Sequence, residues 1–182
     1  MTFIPDKFKQ DYCAMFGESF SFKGKGWRRI FVMGSLQMIF LGRLGESECI
    51  LGWISRIVYL LMSRRRGVQI DFSNKIGGGL VLAHAYGITV NASAVLGEKV
   101  MLFKGCTIGG IRQGPRSGVP KIGSRVVIGL NATVVGGVSI GNDVMIAPNA
   151  FVNFDVPSHS VVIGNPGVVH HKQNATNAYF SV

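Results

Sequence analysis

The sequence predicts a mainly β protein: a parallel β-helix of six-residue repeats, preceded by a small α-helical segment. The first observation is a period. From Ile122 onward an aliphatic residue stands at every sixth position, through Ile128, Val134, Ile140, Ile146 and Val152. The same spacing runs through Val90, Leu96, Leu102 and Ile108, and an earlier trio sits at Ile70, Ile76 and Leu82. The second observation is that small or branched residues lie two positions before most of these, as at Ala94, Val100, Cys106, Val126, Ala132 and Ala150. A period of six fits neither the roughly 3.6 residues of a helical turn nor the alternation of an ordinary strand. It fits a solenoid in which each repeat is one strand and one turn, and three repeats close a triangular coil. The aliphatic side chains then stack inward into a continuous core. The third observation is the intervening Gly123, Gly129, Asn131, Gly141, Asn142 and Asn149, residue types suited to corners with left-handed backbone angles.

Residues 1–67 carry no such repeat and are expected to be helical. Between Cys49 and Met62, Gly52, Ser55, Arg56, Tyr59 and Ser63 share one side of a helix, while Ile50, Trp53, Ile54, Ile57, Val58, Leu60 and Leu61 share the other. The run Ile30–Leu41 is more uniformly apolar. Neither run reaches the roughly twenty apolar residues a membrane span needs. Packing on the end of the solenoid and on neighbouring copies is the simpler expectation. A peripheral membrane contact is the sharper one, because Arg28, Arg29 and Arg64–Arg66 can meet anionic headgroups. The β-helix is expected over residues 68–168, with a tail over 169–182.

The period is interrupted twice. Leu82 to Val90 is eight residues, so two extra residues fall in the stretch His84–Gly87. Ile108 to Ile122 is fourteen, read as two repeats plus two residues, and holds the basic, Gly-rich stretch Gly109–Pro120. Extra residues cannot stay inside a packed coil, and solenoid insertions commonly gather on the binding face.

Composition narrows the function. Formal net charge is +10, and the first 67 residues hold eleven Lys and Arg against five Asp and Glu. The cations are spread along the chain without a recognition motif, which argues against nucleic acid as partner. Three scattered cysteines, Cys13, Cys49 and Cys106, form neither a disulfide framework nor a metal knuckle. With no secretory leader pattern at the start, a reduced, cytoplasmic setting is expected, or the inner membrane face if the helices bind lipid. His84 is expected to be the lone histidine inside the coils, with His159, His170 and His171 at the C-terminal end. One such histidine cannot build a zinc hydration site, which takes about three. It can take a proton from a hydroxyl, since imidazole titrates near neutrality.

The block Ile76–Val90 resembles the catalytic segment of the serine acetyltransferase branch of hexapeptide acyltransferases. Cys106–Gly110, the restart Pro120–Gly123 and the ending Val156–Pro157 with Gly164–Pro166 are similar to that family too, over roughly residues 43–168. The resemblance implies a left-handed β-helix, a homotrimer with active sites in the grooves between subunits, and acetyl-CoA as co-substrate without a metal. It makes His84 the general base. Gly109, Gly110, Gly129, Leu130, Ala147 and Pro148 would line the cofactor groove, with Lys121 near the phosphates. The family's orienting aspartate aligns with Gln69, and Asp71 lies nearby. This chain also departs from the family. An acidic residue before the histidine is replaced by Ala83, and an Arg-His pair that holds the amino acid is replaced by Gly118 and Val119. An α-carboxylate calls for a charged, bidentate partner. The departures resemble the short members of surface-polysaccharide pathways, so the expected acceptor is a sugar hydroxyl, with Tyr86, Asn91, Arg112 and Arg116 as substrate contacts. Serine O-acetylation in cysteine biosynthesis is the alternative, and a non-catalytic β-helix scaffold is the alternative of another class.

Overall fold

A computed structural model describes residues 4–21 and 25–180; the parts of the expected N-terminal segment at 1–3 and 22–24, and the tail residues 181 and 182, lie outside them. Three parallel ladders form the solenoid. The first sheet stacks β1 (Lys75–Ile76), β4 (Val95–Leu96), β7 (Lys121–Ile122) and β10 (Ser139–Ile140). The second stacks β2 (Val81–Ala83), β5 (Val100–Phe103), β8 (Val126–Ile128), β11 (Val144–Ile146) and β13 (Ser160–Ile163), closed by the antiparallel β14 (Val168–His171). The third stacks β3 (Thr89–Val90), β6 (Thr107–Gly109), β9 (Thr133–Val135) and β12 (Phe151–Val152). This is the left-handed β-helix expected from the sequence.

The register shows the hexapeptide directly. Lys121 pairs with Ser139, Val126 with Val144 and Thr133 with Phe151, each eighteen residues on, or three repeats. Across the first interruption Val81 pairs with Met101, so two residues are extra. Across the second, Thr107 pairs with Thr133 and Val100 with Val126, so eight are extra. The stretch from Ile108 to Ile122 is therefore one repeat plus an eight-residue insertion, a correction to the two repeats plus two. The insertion satisfies its own backbone. Ile111 and Gly118 exchange N–H···O bonds of 2.9 and 2.8 Å, so the segment is a small hairpin and not a further rung, and the Gly137 N–H, donating to the Arg116 carbonyl at 2.9 Å, ties it to the coil. From Leu82 to Val152 the sixth-position aliphatics are buried, none more than 4 % exposed. Ile70, at the open end, is half-buried.

The N-terminal segment has four helices among the described residues, where the sequence suggested two. They are α1 (Asp6–Phe16), α2 (Lys25–Val32), α3 (Gly34–Gly45) and α4 (Ile50–Arg66). Met33 takes an extended backbone and splits the expected 30–41 run between α2 and α3. Both α1 and α4 stop at left-handed glycines, Gly17 and Gly67, whose N–H groups satisfy carbonyls of the last turn. The helices α1 and α3 cover the first coil through a buried ion pair. Arg43 meets Asp11 at 2.8 Å and donates to the carbonyls of Ile76 and Gly77, while the Leu80 N–H donates to Asp11 at 2.7 Å. The two sides expected of α4 are present, and the small side is the one turned inward. Gly52, Ser55, Tyr59 and Ser63 face inward, and Ile50, Trp53, Ile54, Ile57, Leu60 and Leu61 are 48–77 % exposed.

Candidate active site

The two extra residues after β2 shape the corner where the second sheet passes into the third. His84 adopts a left-handed backbone, φ 55°, and its carbonyl accepts the Tyr86 N–H at 2.7 Å. The next coils dock beneath this corner. Lys104 N–H donates to the Ala83 carbonyl at 3.1 Å and Gly105 N–H to Tyr86 at 2.9 Å; Asn131 N–H donates to Lys104 and Asn149 N–H to Leu130. One edge of the prism thus carries His84, Tyr86, Lys104, Leu130, Ala147 and Pro148 in a column. His84 is exposed, and its ring forms no hydrogen bond among the described residues. Tyr86 is 54 % exposed and lies under the Arg66 guanidinium, 4.9 Å from the ring centre. Arg66 belongs to the cationic run noted in the sequence, but nothing in a linear pattern could place it beside Tyr86.

The expected partners of His84 behave otherwise. Gln69 is the first rung of the third sheet: its backbone pairs with Thr89, its N–H bonding the Ile88 carbonyl at 2.7 Å, and its side chain makes no hydrogen bond to the histidine. Asp71 serves its own turn. Its carboxylate accepts the Ser73 N–H at 2.8 Å and the Ser73 hydroxyl at 2.6 Å, bonds that hold it below the usual carboxylate range. Within one chain, then, neither Gln69 nor Asp71 orients His84. Gln69 stands at the near end of the third sheet with its backbone committed to Thr89, and Asp71 lies beyond the other end with its carboxylate committed to Ser73.

The other candidates gather on the edge between the third and first sheets. Asn91 bonds the Ser93 N–H through its side chain and takes the Asn74 amide on its carbonyl. Gly110 follows one coil on. A Cβ there would come 3.1 Å from Val119 and 3.2 Å from the Asn91 amide. Arg112 and Arg116 ride the hairpin, with Arg116 in an exposed 3.7 Å pair with Asp155, and Lys121 opens β7. Tyr86 and Asn91 are therefore on different edges of the coil. Between the edges lies the outer face of the third sheet, with Thr89, Thr107, Gly109 and Thr133. Gly129 has a packing reason of its own: a Cβ would stand 2.7 Å from the Pro148 nitrogen.

Two further groups refine the chemistry. Burial pushes the Cys106 thiol up to about 12, so it serves the core and not as a nucleophile. His159 is a second histidine on the coils, a correction to the lone His84. It occupies a corner of its own, φ 57°, with Nδ1 2.9 Å from Asp143.

The family described as bacterial transferase hexapeptide (six repeats) matches residues 120–153. Serine acetyltransferase 2 of Arabidopsis thaliana is 40 % identical over 100 residues, 55 % of this chain and 31 % of its own length. The serine acetyltransferase of Helicobacter pylori is 34 % identical over 113 residues, covering 62 % of this chain and 66 % of that protein. Among solved structures, Neisseria gonorrhoeae serine acetyltransferase superposes with a TM-score of 0.74 at 27 % identity, over 92 % of this chain and 64 % of that one. The same enzyme in complex with serine superposes at 0.72 and 28 %, over 90 % and 67 %. The chain spans 31 % and 28 % of the length of the two Arabidopsis relatives it matches. Repeat, coil register and relatives together place the chain in the hexapeptide-repeat transferase family.

Proposed function

We propose that the protein is an acetyl-CoA-dependent O-acetyltransferase with His84 as general base. The observation that carries this is the corner itself: a two-residue insertion lifts an exposed histidine, its ring without a hydrogen bond among the described residues, onto the edge that carries Leu130, Ala147 and Pro148. The imidazole takes the proton of the acceptor hydroxyl as the oxygen attacks the thioester carbonyl carbon. The tetrahedral oxyanion collapses, the carbon–sulfur bond breaks, and the departing thiolate recovers the proton from His84. Gly109, Gly110, Leu130, Ala147, Pro148 and Lys121 would line the path of the acyl donor. A second copy would set the hairpin edge, with Asn91, Arg112 and Arg116, against the histidine edge of its neighbour, and a homotrimer closes that arrangement three times.

The relatives favour L-serine as acceptor over the sugar expected from the sequence, and serine is the reading taken first. Arg66, held over Tyr86 two residues from His84, offers the α-carboxylate a cation that Ala83, Gly118 and Val119 do not. A sugar hydroxyl is the second reading, favoured by that same loss of the family's acidic, Arg and His groups. Thiol release from acetyl-CoA with L-serine and with a nucleotide- or lipid-linked sugar separates them. Serine turnover that falls about 100-fold in Arg66→Ala, chiefly through KM, supports the first reading. Turnover with sugars and none with serine selects the second. No release with either would leave a non-catalytic scaffold.

A further inference from the structure

Helix α4 carries an apolar face that none of the described residues covers. From Ile50 to Arg66 it holds no acidic residue, and Trp53, Ile54, Ile57 and Leu61 lie outward. Arg64 and Arg65, exposed on the same side, border this face at its C-terminal end. Phe31 and Val32, at the end of α2, are exposed too. Lys25 and Arg28 on α2 are exposed as well. The result is an apolar strip with a cationic rim.

We propose that this strip docks on a lipid bilayer with anionic headgroups, α4 lying in the plane of the interface. The charge pattern selects that occupant. Arginines at the rim meet lipid phosphates while the apolar side chains enter the headgroup–acyl boundary, and an interfacial tryptophan is at home there. At seventeen residues α4 is about 25 Å long, and no helix among the described residues is long and apolar enough to cross a membrane, so the helix lies on the surface. A parallel contact of α4 with copies of itself would gather Arg64 and Arg65 from each copy with no acid on the helix to pair them. The inference is independent of the acyl acceptor.

The full chain is floated on a sucrose gradient with vesicles of phosphatidylcholine, with and without phosphatidylglycerol. Flotation is expected with the anionic vesicles, weakened by salt. Ile54→Asp with Ile57→Asp, and separately Arg64→Gln with Arg65→Gln, should each lower the bound fraction at least about tenfold, with mass by light scattering and CoA turnover unchanged. Absence of flotation with anionic vesicles overturns the proposal, as does equal flotation of the variants. A smaller particle for the double aspartate variant, with wild type that does not float, would assign the strip to a second copy instead.

Discussion

His84 stands in the left-handed backbone region, which L residues other than asparagine, aspartate and histidine seldom enter and which costs roughly 1–2 kcal/mol. The eight-residue step from Leu82 to Val90 made this corner visible in the sequence, because a miscount in a strict repeat marks where the chain must leave the coil. Asparagine tolerates the same angles, so His84→Asn should keep the corner while removing the base. Turnover should fall by roughly two to four orders of magnitude, with acetyl-CoA binding and particle mass unchanged. The Asp143 cluster was not legible, since Asp143 and His159 precede paired strands across a coil of sixteen residues, two short of the regular eighteen. Burial disfavours the Asp143 charge, but bonds from His159, the Thr176 hydroxyl and the N–H groups of Thr176 and Ala175 outweigh that and hold the carboxyl at about 2. A folded-state value below the unfolded one stabilises above the unfolded pKa, and the benefit fades as pH falls through the folded one. Together these bonds should thus contribute about 2 kcal/mol above about pH 4. Melting curves of wild type and Asp143→Asn should converge as the pH is taken down to about 2.

Among the elements, the strands followed the sequence and the helices did not. A strand in this fold is specified by its own inward aliphatic, so Leu96 or Ile128 can be placed from spacing alone. Helix periodicity shows that α4 is two-sided without showing which side is covered. Its small side, Gly52 and Ser55 with Tyr59 and Ser63, is the one turned inward, and the large apolar side is left outside. The joint between α1, α3 and the first coil rests on Asp11 and Arg43, distant in sequence and both nearly inaccessible, at 0 and 5 % exposure. Arg43→Met strands the Asp11 carboxylate and should cost roughly 3–5 kcal/mol in urea unfolding. Pairing it with Asp11→Leu should restore most of that loss. Equal instability of the single and double variants would show that the joint depends on the bonds to Ile76, Gly77 and Leu80 more than on the pair.

At the scale of the whole molecule, the histidine edge and the hairpin edge are held apart by the third sheet, and a second copy is the natural way to join them. Light scattering should give about three times the 19.6 kDa chain mass, and a monomer at micromolar concentration would argue against a shared groove. The sequence by itself determined the coil: its period, its inward residues, and the two places where it opens. It could do so because each rung of a solenoid contacts only its neighbours, so local spacing and three-dimensional position are nearly the same thing. Only the tertiary structure decided that the second opening is a self-bonded eight-residue hairpin, that Asp71 serves its own turn, that Arg66 covers Tyr86, and that α4 turns its apolar face outward. Each of these depends on which surfaces meet across long stretches of chain, and a repeat carries no information about that.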